Sequence, residues 1–214
     1  MAVKRPPAFW YETDVMKLFS IIADTQSGRA FENMGQTYGL SDEMAAQVTR
    51  YFLPPIKKVL ARRSETVDGM VSVLEFLGSR RCDRVMEDAR MFGHPRVAEE
   101  GERILAYLFG DNGHTAKLID KRARALQVEP RVLDQMLPFI AVLAIGAVEK
   151  RTRRPLGAVL QRMAKGATAP RDLLNPYAAL AQHIKKRDAA EKNGGRRSSI
   201  FGGLFAKPES RSAA

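Results

Sequence analysis

The run QMLPFIAVLAIGAV, Gln135 to Val148, decides the fold. Its 14 residues carry no charge and are apolar on every side of a 3.6-residue turn, the pattern of a helix enclosed by other helices. At about 1.5 Å per residue such a helix extends roughly 21 Å, short of the ~30 Å hydrocarbon core of a bilayer. A core helix is therefore expected in place of a membrane span, set within a longer helix from Pro130 to about Arg151, with Pro138 inside it.

Outward from this run the punctuation is helical throughout, and no strict alternation long enough for a strand occurs. Val15, Leu18, Phe19 and Ile22 follow a Thr13-Asp14 start signal at helical spacing. A helix from about Arg29 to Tyr38 stops at Gly39, and Ser41-Asp42-Glu43 caps a third that turns Met44, Val48 and Phe52 inward. Pro54-Pro55 is expected to break or kink that helix, because each ring removes a donor and crowds the preceding turn. Thr66 to Leu77, closed by Gly78, and a charged, more exposed helix from Arg80 to Met91 come next. Pro95 opens a helix with Val97, Gly101, Ile104, Leu105 and Leu108 on one face. Asp111-Asn112-Gly113 is a turn. Helices from Thr115 to Leu126, Leu156 to Lys165 and Pro176 to Arg187 complete the ordered part.

With 214 residues, 45% of them apolar, the chain has material for a real core. A single cysteine, Cys82, excludes an intramolecular disulfide framework and a multi-cysteine zinc site. Three histidines leave little material for a clustered His site. Met1 to Pro7 has no apolar run behind it of the kind a secretory signal needs, so a soluble, cytoplasmic protein is expected.

Net charge is +11, and its distribution is uneven. Residues 149–214 hold 15 basic and 5 acidic side chains, whereas residues 1–148 are near neutral. The excess condenses into Lys150, Arg151, Arg153 and Arg154 and into Lys185, Lys186 and Arg187, with Arg162, Lys165 and Arg171 between. Those seven are the candidate residues for an anion or an acidic partner. From Asp188 the composition shifts to Gly, Ser, Lys, Arg and Ala, so 188–214 is expected as a disordered basic tail. Within it Ile200, Phe201, Leu204 and Phe205 form a candidate docking motif.

A shift of 88 residues lays 40–78 on 128–166 without gaps. It pairs Gly69 with Gly157, Gly78 with Gly166, Gln47 with Gln135, Arg63 with Arg151 and Val71 with Val159. The expected fold is thus all-α, a multihelical single domain over 10–187. It comprises two related half-units, about 10–80 and 95–167, and a C-terminal basic helix.

Gly39-Leu40-Ser41, Leu53-Pro54, the segment from Gly101 to Gly110 (GERILAYLFG) and the segment from Val132 to Ala147 resemble the bacterial domain of unknown function 937 family, the YidB-like proteins. The likeness runs from about Gln26 to Gly166. It implies an all-helical cytosolic bacterial domain and carries over no activity and no catalytic residues. The chain departs from the family pattern in its reduced glycine-rich ending and in the basic segment after Val148.

No phosphate loop, HExxH, CxxC, GxSxG or EF-hand loop occurs, so no catalytic, metal or cofactor residue is assigned. His94 and His114 sit where a polar side chain serves a helix start, and His183 lies on the last basic helix. Cys82, between Arg81 and Asp83 with Arg80 and Arg84 near, would be reactive only if exposed. The segment Phe31 to Phe52 has the outline of a helix-turn-helix, but its second helix opens on Ser41-Asp42-Glu43, which repels phosphate. The reading is a non-enzymatic interaction or scaffold module with a protein partner. The alternative is non-specific binding of nucleic acid or anionic membrane through the basic clusters, and self-association is compatible with either.

Overall fold

In the computed structural model, which describes residues 8–110, 112–163 and 174–194, the chain forms helices α1 (Ala8–Ala23), α2 (Ala30–Tyr38), α3 (Asp42–Arg63), α4 (Val67–Gly78), α5 (Cys82–Val85), α6 (Pro95–Phe109), α7 (Asn112–Leu126), α8 (Pro130–Met163) and α9 (Pro176–Gly194). A 3-10 turn, Gln26–Gly28, joins α1 to α2. Among the described residues there is no strand, and the all-α expectation holds. Lys165, Arg171 and the Ile200, Phe201, Leu204, Phe205 motif lie outside the described residues.

Helix α8 is the axis of the domain. It packs against α1, α3, α5, α6, α7 and α9, so its apolar residues find a partner in every direction. Met136 to Ala147 are buried without interruption, Ile140, Val142, Leu143 and Ile145 to 0% exposure. With 34 residues it is longer than the uncharged run and meets the length and composition of a membrane-crossing helix, yet 78% of its most apolar window is enclosed by the rest of the chain. Enclosure of this kind satisfies the apolar surface without lipid.

Two glycines set how closely the layers meet α8. A Cβ on Gly101 of α6 would lie 2.2 Å from the Pro138 carbonyl oxygen, and one on Gly146 would lie 2.6 Å from Met86 Sδ and 2.7 Å from the Cys82 carbonyl oxygen. Any side chain there forces the helices apart.

Several boundaries differ from the sequence expectation, each for a local reason. Helix α1 begins at Ala8, ahead of Thr13-Asp14, since nothing from Ala8 to Glu12 opposes a helix. Pro54 and Pro55 do not end α3. The Tyr51 carbonyl, which would have accepted from the N–H that Pro55 lacks, accepts instead from Arg122 Nε of α7 at 3.3 Å. The stretch Arg80 to Met91 is one helical turn followed by irregular turns, held by Asp88 Oδ1 accepting the Arg90 N–H at 2.9 Å. It is less exposed than expected, with Cys82, Met86 and Met91 all buried.

The expected helix from Leu156 is a continuation of α8 through Pro155. Capping accounts for the difference between the two halves of the proposed repeat. Thr66 Oγ1 accepts the Gly69 N–H at 3.1 Å and starts α4 as a new helix, whereas Arg154, its counterpart in the 88-residue shift, cannot serve as an N-cap acceptor. Helix α9 likewise passes the expected boundary at Asp188 and runs to Gly194, carried by Ala189-Ala190-Glu191-Lys192.

Candidate functional site

Helices α3, α4 and α8 diverge along one side and leave a groove of about 430 Å³. Leu53, Ile56 and Leu60 of α3, Met70, Leu74 and Leu77 of α4, and Ala144, Val148 and Leu156 of α8 line it, with Leu18 of α1 and Tyr177 of α9 at its margins. The lining is apolar because α3 and α4, joined by the short Ser64-Glu65-Thr66 connection, both turn apolar side chains into it, α3 packing on α8 and α4 on α9. Lys57 and Arg151 stand at the mouth, and each is already engaged by another group.

A polar knot lies where α8 meets α5 and the start of α9. Glu149 is fully buried, the first charge after the apolar run. Its Oε2 accepts the Asp83 N–H at 3.1 Å, while its Oε1 has no hydrogen-bond partner. Burial, reinforced by the facing Asp83 carboxylate, pushes the Glu149 carboxyl up to about 7. Burial also works to raise Asp83, but hydrogen bonds from Arg81 and the charge of Arg153 outweigh it and hold that carboxyl below its ordinary value. Arg153 reaches Asp83 Oδ2 at 3.4 Å and Glu149 Oε2 at 3.6 Å, donates to the Leu174 carbonyl at 3.3 Å, and lies over the Tyr177 ring at 5.2 Å. Tyr177 donates its hydroxyl to the Glu149 carbonyl oxygen at 2.9 Å and also meets Thr152 Oγ1 at 2.9 Å. Asn175 adds a bond to the Gly78 carbonyl at 2.8 Å. Together these contacts clamp the first turn of α9 to α4 and α8.

The seven basic candidates do not form one continuous patch. Arg153 belongs to the knot, Lys150 pairs with Glu87, and Lys185 pairs with Glu75 at 2.6 Å. Arg151 and Arg187 each have a partner, and Arg154 and Lys186 are exposed. The residues missed from sequence are Glu149, Asp83 and Tyr177. Glu149 gave a signal in being the acid that ends the uncharged run; Tyr177 gave none, since its partners are distant in sequence. Cys82 is buried, and burial together with the Glu149 charge pushes its thiol well above the usual range, away from reactivity. Among the described residues no group of three or more His, Cys, Asp or Glu side chains is placed to hold a metal ion.

With this geometry in view, residues 20–151 match the model of a family described as bacterial protein of unknown function, DUF937. The chain belongs to that family. No curated protein and no solved structure matches it. The matched stretch of this DUF937 chain holds the α3 and α4 walls of the groove, Glu149 and Asp83. Arg153, Tyr177 and the whole of α9 lie beyond it, so the clamp joins the family domain to a segment outside the match.

Proposed function

We propose that this DUF937 domain is a non-enzymatic interaction module whose groove between α3, α4 and α8 receives the apolar face of an acidic amphipathic helix from a protein partner. The groove carries the reading. A cleft of about 430 Å³, lined by side chains at i, i+3, i+4 and i+7 spacing on α3 and α4, fits helix-in-groove recognition, where a few apolar anchors enter and charged residues flank them. The acidic character of the partner follows from the charge nearby. Arg151 lines the groove, and Arg154 and Arg162 follow it along α8, within the segment 149–214 of 15 basic and 5 acidic residues.

Ala61 lines the groove and is exposed, so a larger residue there fills the site without touching the core. A labelled acidic amphipathic peptide of about three turns should bind the full chain in fluorescence anisotropy, and Ala61→Trp should abolish that binding at unchanged thermal stability. Equal binding to both chains, or binding of duplex DNA that Ala61→Trp leaves intact and tighter than that of the peptide, would remove the groove from the account and favour the basic surface.

A further inference from the structure

The knot around Glu149 shares its residues with the margin of the groove. Tyr177 is fully buried, lines the groove, and donates its hydroxyl to the Glu149 carbonyl oxygen; Thr152, its second partner, lines the groove as well. Whatever holds the first turn of α9 on α8 therefore sets how far that margin stands open.

Glu149 lacks a counter-ion of its own. From α5 the Asp83 carboxyl hydrogen-bonds that of Glu149, with Cys82 alongside and the Arg80–Glu100 ion pair acting on Cys82. Arg81 pairs with Asp83 at 3.1 Å, and Arg153 divides itself between Asp83 at 3.4 Å and Glu149 at 3.6 Å. From α9 comes Tyr177. No donor reaches Glu149 Oε1, so an ionised carboxylate keeps that oxygen unsatisfied in a site closed to water. A protonated Glu149 instead donates its hydrogen to the facing Asp83, which Arg81 and Arg153 keep ionised.

Relief for the ionised form requires water, and α9 is the side that can admit it. On the α5 side the fit is tight: a Cβ on Gly146 of α8 would lie 2.6 Å from Met86 Sδ and 2.7 Å from the Cys82 carbonyl oxygen. The first turn of α9 is tied to α8 by Tyr177 and by Arg153 donating to the Leu174 carbonyl at 3.3 Å, and Leu174 itself is 75% exposed.

We propose that loss of the proton held between Glu149 and Asp83 releases the first turn of α9 from α8, withdraws Tyr177 and opens the groove to its partner. The switch is a property of the knot; its use in regulating binding rests on the groove reading above. In the closed form Glu149 titrates at about 7, and once hydrated at its ordinary 4.5. The open-to-closed ratio therefore rises about tenfold per pH unit between those values and levels off above them, so the step from pH 6 to pH 8 is roughly tenfold.

Hydrogen exchange of the full chain tests the switch, read as protection factors so that the intrinsic pH dependence of exchange cancels. The amides of Ala178 and Ala179, which donate to Asn175, should be less protected than those of Ile104, Leu105 and Leu108 in α6. They should also lose roughly tenfold in protection from pH 6 to pH 8. Glu149→Gln should abolish that loss, and Asp83→Asn, which leaves Arg153 to Glu149 alone, should move it to lower pH. His183→Gln, on an exposed position of α9, should leave it in place. A histidine-free version of the acidic peptide should bind the parent about tenfold tighter at pH 8 than at pH 6, and bind Glu149→Gln equally at both. If no peptide binds at either pH the groove reading fails, and the exchange result still decides the switch. Equal peptide binding by the parent at both pH values overturns the opening of the groove. Protection of Ala178 and Ala179 that is constant with pH, that falls equally in Glu149→Gln, or that matches α6 at both pH values overturns the proposal, as does a pH dependence that His183→Gln removes.

Discussion

Replacing Glu149 by Gln removes the one charged residue that is buried among the described residues, and the structure fixes both sign and window of the effect. Buried, the carboxyl titrates at about 7 against an ordinary 4.5, so between those values the folded chain keeps a proton that the unfolded chain has released. Stability from this group is therefore full below pH 4.5 and declines as pH rises to about 7. At 1.36 kcal/mol per pH unit the decline is about 3 kcal/mol. Glu149→Gln preserves shape and still offers an oxygen to the Asp83 N–H, and the attraction of Arg153 at 3.6 Å is already contained in the balance that sets the carboxyl at about 7. The net expectation is a gain of about 3 kcal/mol at pH 8, or roughly 6–12 °C in midpoint for a chain of this size, and near equality at pH 5. Asp83 acts in the opposite sense and lower, since its stabilisation is lost only as pH falls below its ordinary value of 3.8. Urea unfolding of both chains at pH 5 and pH 8 makes the comparison. Parallel pH dependence in parent and variant, or equal loss at both pH values, would refute the argument.

Gly101→Ala should destabilise by about 1–3 kcal/mol, because the new Cβ meets the Pro138 carbonyl oxygen at 2.2 Å; denaturant unfolding reads the change directly. Gly69→Leu should cost a similar amount, since a Cβ there lies 1.9 Å from the Arg63 carbonyl oxygen, and an unchanged midpoint would mean that α4 starts elsewhere. Among the basic candidates, Arg153→Gln should lower the midpoint measurably, whereas Arg154→Gln and Lys186→Gln stay within about 0.5 kcal/mol of the parent. Cys82 should resist a thiol reagent at pH 8 in the folded chain and react at once in denaturant; fast labelling of the folded chain would contradict its burial.

The helices were legible in the sequence because their signals are local. Ser41 accepts the Met44 N–H as a cap should, Gly39 ends α2 in the left-handed region, and the apolar run from Gln135 is enclosed as its all-round pattern requires. Legibility fails where a distant residue overrules a local one. Pro55 is tolerated because Arg122 serves the carbonyl it leaves unsatisfied, and that rescue comes from 71 positions away. Arg80 to Met91 reads as an exposed charged helix, yet Cys82 and Met86 are drawn under it against Gly146, a contact visible only once α5 and α8 are in place. The charge cluster after Val148 is plain in the composition, but its described members divide between the interior knot, surface ion pairs and open solvent. Composition cannot make that division, since Arg153 and Arg154 are neighbours with opposite fates. The groove was not legible at all, being a product of how α3, α4 and α8 are placed about one another.

The most direct measurement of the central claim is photo-cross-linking from position 61, with a benzophenone residue placed there and, as a control, at exposed Arg131, in the cell from which the chain comes. The account predicts a protein adduct specific to position 61, with the linkage mapping to an acidic amphipathic helical segment of the partner. Adducts of equal yield from both positions, or an adduct at 61 made of nucleic acid or lipid, would contradict it.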